Sequence, residues 1–287
     1  MTNKEAIIEI IKSKLQNDLR DRFVEVVKKS INSFRGEIEK EQIKTSFSPY
    51  LCPDQYVVGK TISEPMPGDY VKRIPLFRGQ GDGVIEANIP EAENIMILIL
   101  ESPHQKEFDR KGEPIGPAMG PTRENIENHL KTVFPNFSDY HLVLMNAIPF
   151  QCSLGQSSKP LRDWMFVKTW EAFGKDFFQT RLTYLLDSLK RKGNRVVVVN
   201  ACTQGGDKKD YLCCKVCKSI IEILSTKKLP YYHIHHPSSW RESNSDSSKK
   251  PKSNTLEIDK NGICKSFQYT KECKLCKDCY GKIKYKF

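Results

Sequence analysis

Residues 95–109 read Ile-Met-Ile-Leu-Ile-Leu-Glu-Ser-Pro-His-Gln-Lys-Glu-Phe-Asp, and this stretch decides the fold. Its six consecutive apolar residues predict a β-strand that is buried on both faces. The carboxylate, hydroxyl and imidazole groups that follow predict a polar site at the carboxyl end of that strand. In open α/β sheets, ligands bind at this edge.

Three later segments have the same form, an apolar run that ends in polar residues. Residues 142–145 lead into Asn146, residues 195–199 into Asn200, and residues 231–234 into a His-His-Pro-Ser-Ser sequence. Stretches with helical periodicity lie between these runs, as a parallel sheet requires. The sequence therefore predicts a three-layer α/β/α fold with a central four-stranded parallel sheet and one shared site.

Length and composition favour one large domain with two appendages. The chain has 287 residues, of which 38% are hydrophobic, enough to bury a sizeable core. Apolar residues at helical spacing predict an N-terminal helical extension over residues 1–45. The α/β domain is expected over residues 46–240, and a basic loop with a Cys-rich tail over residues 241–287.

The charge balance indicates a polyanionic partner. Lys and Arg number 46 against 35 Asp and Glu, a formal net charge of +11, which predicts attraction to nucleic acid such as DNA. The alternative at this point is a basic protein without such a partner. No run approaches the ~18 apolar residues of a membrane span, and acidic residues stand where a signal peptide would be apolar. We therefore expect a cytoplasmic protein.

The tail carries a Cys-x2-Cys-x2-Cys pattern that is typical of metal sites, because short turns let successive thiolates converge on one ion. Structural zinc is the first expectation, an iron–sulfur cluster the second, and free thiols the alternative to both. No organic cofactor is expected. The predicted ligands are Cys264, Cys273, Cys276 and Cys279.

The order of the strand-end motifs resembles the uracil-DNA glycosylase superfamily. In that family the first strand commonly ends in Gly-Gln-Asp-Pro-Tyr-His, the second in an Asn that reads the flipped base, and a late motif is His-Pro-Ser-Pro. The counterparts here are Glu-Ser-Pro-His at 101–104, Asn146, and His-Pro-Ser-Ser at 236–239. The resemblance covers about half of the chain and depends on order and context more than on identity.

The resemblance implies roles for these residues, with one departure. The water-activating Asp of the family aligns with Ser102, and a serine cannot act as a carboxylate base, so Glu101 or Asp109 must supply the charge. His236 would donate a hydrogen bond to the departing base. The remaining expectations fall into two groups: Ser102, His104, Asn146 and Phe150 for binding the base, and Ser238, Ser239, Trp240 and Arg241 for contacting DNA.

The resulting hypothesis is a DNA glycosylase, a hydrolase that flips a modified pyrimidine and cleaves its N-glycosidic bond. The tyrosine that excludes bulky pyrimidines in plain uracil glycosylases has no counterpart between Pro103 and His104. The chain therefore resembles bacterial antiphage glycosylases that excise glucosylated hydroxymethylcytosine as antiviral defence. Uracil repair and non-catalytic nucleic-acid binding are the alternatives. A cysteine hydrolase using Cys152 or Cys202 lacks an orienting third residue.

Overall fold

A computed structural model describes residues 3–33, 48, 50–52, 54–61, 71–73, 91, 93–115, 118, 121–134, 139–152, 159–203, 212–227, 229, 231–234 and 236–239. The predicted metal ligands in the tail, and Trp240 and Arg241, lie outside these residues.

The described strands are β1 (Gln55–Thr61), β2 (Val71–Arg73), β3 (Asn94–Leu100), β4 (His141–Asn146), β5 (Arg195–Asn200) and β6 (Tyr231–His233). They form one sheet in the order β2-β1-β4-β3-β5-β6. The four strands β4, β3, β5 and β6 are parallel, as predicted. Strand β1 pairs antiparallel with β4 and with β2, so the sheet continues beyond the predicted four strands.

The described helices are α1 (Asn3–Ser33), α2 (Pro121–Val133), α3 (Lys159–Thr169), α4 (Lys175–Arg191) and α5 (Leu212–Lys227). A π-helical segment, Trp170–Gly174, joins α3 to α4. Two 3-10 helices, Gln105–Glu107 and Pro237–Ser239, follow β3 and β6. None of the helices in this part of the chain has the length and apolar character needed to cross a membrane.

Helices cover both faces of the sheet, which gives the predicted three layers. Side chains alternate between the two faces of a strand, and in β3 Ile95, Ile97 and Ile99 pack in one apolar cluster while Met96 and Leu98 pack in another. The first cluster includes buried residues of α1, α3, α4 and α5, and the second those of α2. This two-sided burial explains why the strands read as continuous apolar runs.

Helix α1 packs directly against the α/β domain. Its Leu19 and Phe23 are buried in the first cluster, and the Phe23 ring stacks on Phe150 with centroids 4.7 Å apart. Arg22 lies over the Phe173 ring and donates a hydrogen bond to the Ala172 carbonyl at 3.1 Å. This part of the predicted extension, around Leu19 and Phe23, therefore belongs to the core of the α/β domain.

Candidate active site at the carboxyl edge of the sheet

The parallel strands place their polar ends along one edge. Hydrogen bonds continue the parallel pairing past the strand ends: Ile148 donates to the Glu101 carbonyl at 3.0 Å, and Ile234 donates to the Asn200 carbonyl at 2.9 Å. These bonds fix the turns that carry the candidate residues. The first strand-end residue, Glu101, is therefore held on a rigid element, as a catalytic group requires.

Glu101 is buried and has a cationic partner. Its Oε1 lies 3.4 Å from Nε of Arg162, a residue of α3, and only 4% of Glu101 is exposed. Burial raises the pKa of Glu101, while the Arg162 charge and a hydrogen bond with the Thr203 side chain lower it. A carboxylate whose pKa is raised but which retains a cation is suited to accept a proton.

Arg162 connects Glu101 to the histidine motif. Its Nε and Nη2 both contact Oδ1 of Asp163, at 2.8 and 2.6 Å, which orients the guanidinium. The same positive charge contributes to lowering the pKa of His236. The structure thus brings together Glu101 after β3, Arg162 on α3 and His236 after β6, and the first and last of these are 135 residues apart in the chain.

His236 is held in one orientation. Its Nδ1 accepts a hydrogen bond from the Ser238 backbone N–H at 3.2 Å and lies 2.8 Å from the Ser238 hydroxyl. Asn125 of α2 donates to the Pro237 carbonyl at 2.8 Å and fixes this turn. Burial, and then Arg162, lower the pKa of His236 to about 4. The ring is therefore neutral at pH 7, and with Nδ1 accepting, its proton is on Nε2.

Asn146 and Glu107 form a second group of buried polar side chains, 2% and 4% exposed. Within the described residues, no well-aligned hydrogen bond reaches Oδ1 or Nδ2 of Asn146, or Oε2 of Glu107. Burial raises the pKa of Glu107 to about 8, although the backbone N–H groups of His104 and Ala118 and the Asn146 amide favour its charged form. Glu107 is therefore largely protonated at neutral pH.

A buried ion pair contacts the backbone of Asn146. Arg181 of α4 pairs with Asp54, and the two residues are 2% and 4% exposed. The same guanidinium donates a hydrogen bond to the Asn146 carbonyl at 2.8 Å. Buried backbone carbonyls need such partners, and this one ties the end of β4 to α4.

Two of the predicted site residues make structural contacts. Phe150 is fully buried in the core, where its ring stacks on Phe23 and makes a T-shaped contact with Phe173, and its stacking on a flipped base stays a prediction. Asp109 is exposed, and its Oδ1 accepts the backbone N–H groups of Lys111 and Glu113 at 2.7 and 2.9 Å. Asp109 stabilises a turn, and Glu101 is the better placed of the two predicted carboxylates.

The remaining residues that were predicted to contact the base or the DNA differ in their exposure and hydrogen bonding. His104 is half-buried and its Nδ1 accepts the Lys106 N–H at 3.1 Å, which caps a 3-10 helix. Burial, and then Lys106, lower the pKa of His104. Ser102 lies beside the buried thiol of Cys152. Ser238 is exposed, and Ser239 ends the second 3-10 helix.

Three residues of the arrangement, Arg162, Glu107 and Thr203, were not predicted from the sequence. Glu107 lies within the quoted stretch, but it reads there as one of several charged loop residues. Arg162 stands in a helix without a recognisable motif. Thr203 was noted only as part of the polar segment after β5. These three residues share one property, which is that they converge on the edge of the sheet. Only the three-dimensional structure reveals this property.

No protein-family model matches this chain, and no curated protein matches its sequence significantly. Fold and site therefore define it at the level of class: an α/β protein with a mainly parallel sheet that has buried carboxyl and amide groups and the partly buried His236 imidazole at its carboxyl edge. In the described part of the chain, no group of three or more His, Cys, Asp or Glu residues could hold a metal ion. The predicted tail site lies elsewhere in the sequence.

Proposed function

We propose that this protein is a DNA glycosylase that flips a modified pyrimidine out of DNA and hydrolyses its N-glycosidic bond, leaving an abasic site. The observation that carries the proposal is the grouping of Glu101, Arg162 and neutral His236 at one edge of the sheet. Cleavage of this bond builds positive charge on the sugar and negative charge on the base. The reaction therefore needs a carboxylate and a hydrogen-bond donor on opposite sides of one bond.

In this mechanism Glu101 accepts the proton of the attacking water, whose oxygen bonds to C1′ of the sugar. Arg162, whose Nε lies 3.4 Å from Glu101 Oε1, favours the ionised form of this buried carboxyl group. The Nε2–H of His236 donates a hydrogen bond to the base as the electron pair of the broken bond moves onto the ring. A neutral donor suits this role, because it stabilises developing charge without adding a cation beside Arg162.

The substrate proposed first is glucosylated hydroxymethylcytosine in phage DNA, and the role proposed with it is antiviral defence. This choice rests on the resemblance and on the absence of the excluding tyrosine between Pro103 and His104. A cysteine hydrolase is less well supported. Burial, and then the charge of Glu101, raise the pKa of the thiols of Cys152 and Cys202, so neither is a thiolate at neutral pH.

The test compares oligonucleotides that carry glucosylated hydroxymethylcytosine, hydroxymethylcytosine or uracil at one position. Free base is measured by mass spectrometry, and abasic sites are measured as strand breaks after alkali. Wild-type protein should release base from at least one substrate, and Glu101→Gln should slow release by about 10²–10⁴-fold, the usual contribution of a general base.

Asp109→Asn is the matched control, because Asp109 is an exposed carboxylate of the same loop. It should retain most of the activity. A large loss in Asp109→Asn with little loss in Glu101→Gln would reverse the assignment. Undiminished DNA binding without base release from any substrate would instead favour a non-catalytic nucleic-acid-binding protein.

A further inference from the structure

Two neighbouring side chains at the edge of the sheet have buried polar atoms that no well-aligned hydrogen bond within the described residues reaches. They are Glu107 Oε2 and both amide atoms of Asn146, in residues that are 4% and 2% exposed. A buried polar atom without a well-aligned partner is destabilising, so native proteins rarely keep three together unless a ligand or water completes their hydrogen bonds. The group is therefore suited to bind a polar ligand edge.

We infer that Glu107 is a catalytic acid that donates a proton to ring atom N3 of a cytosine-type base, with Asn146 binding the same edge. This inference rests on the proposed glycosylase function and adds proton transfer to the leaving base, to which His236 donates only a hydrogen bond. Cytosine and its 5-substituted derivatives have a bare N3 that can accept a proton. Uracil and thymine already carry hydrogen on N3 and cannot use this group.

The environment of Glu107 favours its protonated, uncharged form. The groups that face it in the described part of the chain are the backbone N–H groups of His104 and Ala118 and the Asn146 side chain, and none of them is charged. The imidazole of His104 is engaged separately by the Lys106 N–H. Burial dominates, with the pKa raised to about 8, and a carboxylic acid kept neutral in this way can act as a donor.

The proton balance of the step is complete. Glu107 Oε2 transfers its proton to N3, the C1′–N1 bond breaks with its electron pair on the base, and the base leaves as a neutral 3H tautomer. Water supplies hydroxide to C1′ and its remaining proton goes to Glu101. Glu107 then regains a proton, and Glu101 loses one, by exchange with solvent. Protonation matters because a neutral leaving group departs more readily than an anion.

The test uses full-length protein and a matched pair of oligonucleotides carrying glucosylated hydroxymethylcytosine or glucosylated hydroxymethyluracil, with the same sugar and linkage. The two bases differ at the edge that Glu107 would contact. Glu107→Gln preserves shape and a hydrogen-bond donor but has no transferable proton. Single-turnover release of the cytosine derivative should fall by about 10²–10⁴-fold, with substrate binding changed far less.

Two further measurements make the result decisive. Wild-type release of the cytosine derivative should decline as pH rises through about 8, the pKa of Glu107, which tests the inference even if Glu107→Gln folds poorly. Glu113→Gln, an exposed glutamate of the same loop, should behave as wild type.

The outcomes separate the two proposals. If wild-type protein releases the cytosine derivative and Glu107→Gln is folded but equally active, the role of Glu107 is wrong and the glycosylase proposal stands. Equal or faster release of the uracil derivative by wild-type protein would also overturn the inference. Failure of wild-type protein to release any base would overturn the proposed function and, with it, this inference.

Discussion

At the scale of single residues, the position of a side chain in the fold changes its chemistry. Glu101, Glu107 and Asp109 are three carboxyl groups within nine residues of sequence. Glu101 is buried beside Arg162, Glu107 is buried without a described cation, and Asp109 is exposed in a turn. Burial and the nearest charge therefore place them in three environments: a buried ion pair, a buried uncharged carboxyl group and an exposed acceptor in a turn.

His236 provides a test at this scale. We expect its titration midpoint near pH 4, well below the usual ~6.5 for histidine. Because protonation is disfavoured in the folded state, the stabilising effect of the neutral ring is complete above about pH 6.5 and is lost as pH falls towards 4. NMR of histidine ring protons between pH 3 and 8 measures this midpoint.

A matched variant isolates the cause. In Arg162→Gln the His236 midpoint should rise, because a nearby positive charge is removed, but burial should keep it below 6.5. A wild-type midpoint at or above 6.5 would show that His236 is protonated near neutrality and would contradict the neutral-donor mechanism.

At the scale of elements, helix α4 and the segment before β1 support the end of β4 through the Arg181–Asp54 pair. Removing one member of a buried ion pair leaves an uncompensated charge and typically costs about 3–5 kcal/mol. We expect Arg181→Met to lose stability of this size. It should also weaken any activity, because the Asn146 carbonyl loses its donor. Denaturant unfolding and base-release assays measure the two effects.

The double variant Arg181→Met with Asp54→Leu is the control. It removes both charges together and should recover much of the lost stability, as replacements of whole buried pairs often do. Activity should recover less, because the Asn146 carbonyl remains without Arg181. Additive losses in the double variant would contradict the coupling between the two residues.

The secondary-structure elements differ in how well the sequence predicts them and their surroundings. The four parallel strands were predictable because each is an apolar run with a polar end, and their adjacency placed Glu101 and Asn146 at one edge. The packing of Phe150 was not predictable, because its environment is set by Phe23, 127 residues earlier in the chain. The environments of Arg162 and Glu107 likewise depend on contacts between distant segments, which local patterns do not encode.

At the scale of the whole molecule, metal binding by the Cys-rich tail and DNA binding by the basic residues remain predictions. Zinc bound by Cys264, Cys273, Cys276 and Cys279 should appear as about one equivalent per chain in elemental analysis. An iron–sulfur cluster would give iron and visible absorption instead. Cys276→Ser should lower the metal content, whereas Cys217→Ser, in a buried residue of α5, should leave it unchanged. Full metal retention in Cys276→Ser would contradict the tail site.

The charge distribution predicts how DNA binding should respond to salt. Residues 241–287 contain twelve Lys and Arg against six Asp and Glu, so they carry more than half of the net charge of +11. Each phosphate contact contributes about −0.9 to the slope of log K against log salt for duplex DNA and about −0.7 for single strands. If Lys249, Lys250 and Lys252 contact phosphates, changing all three to Gln should make the slope less steep by about 2–3 units.

Lys190→Gln is the control for this measurement, because Lys190 is exposed near the end of α4, by the start of β5 and thus at the opposite edge of the sheet from the site. It should leave the slope unchanged. Base-release rates at saturating DNA should also be unchanged in the triple variant, since steering charges act on association more than on chemistry. A slope unaffected by the triple substitution would show that DNA is bound by other cations, with the basic loop acting only as a solvated segment.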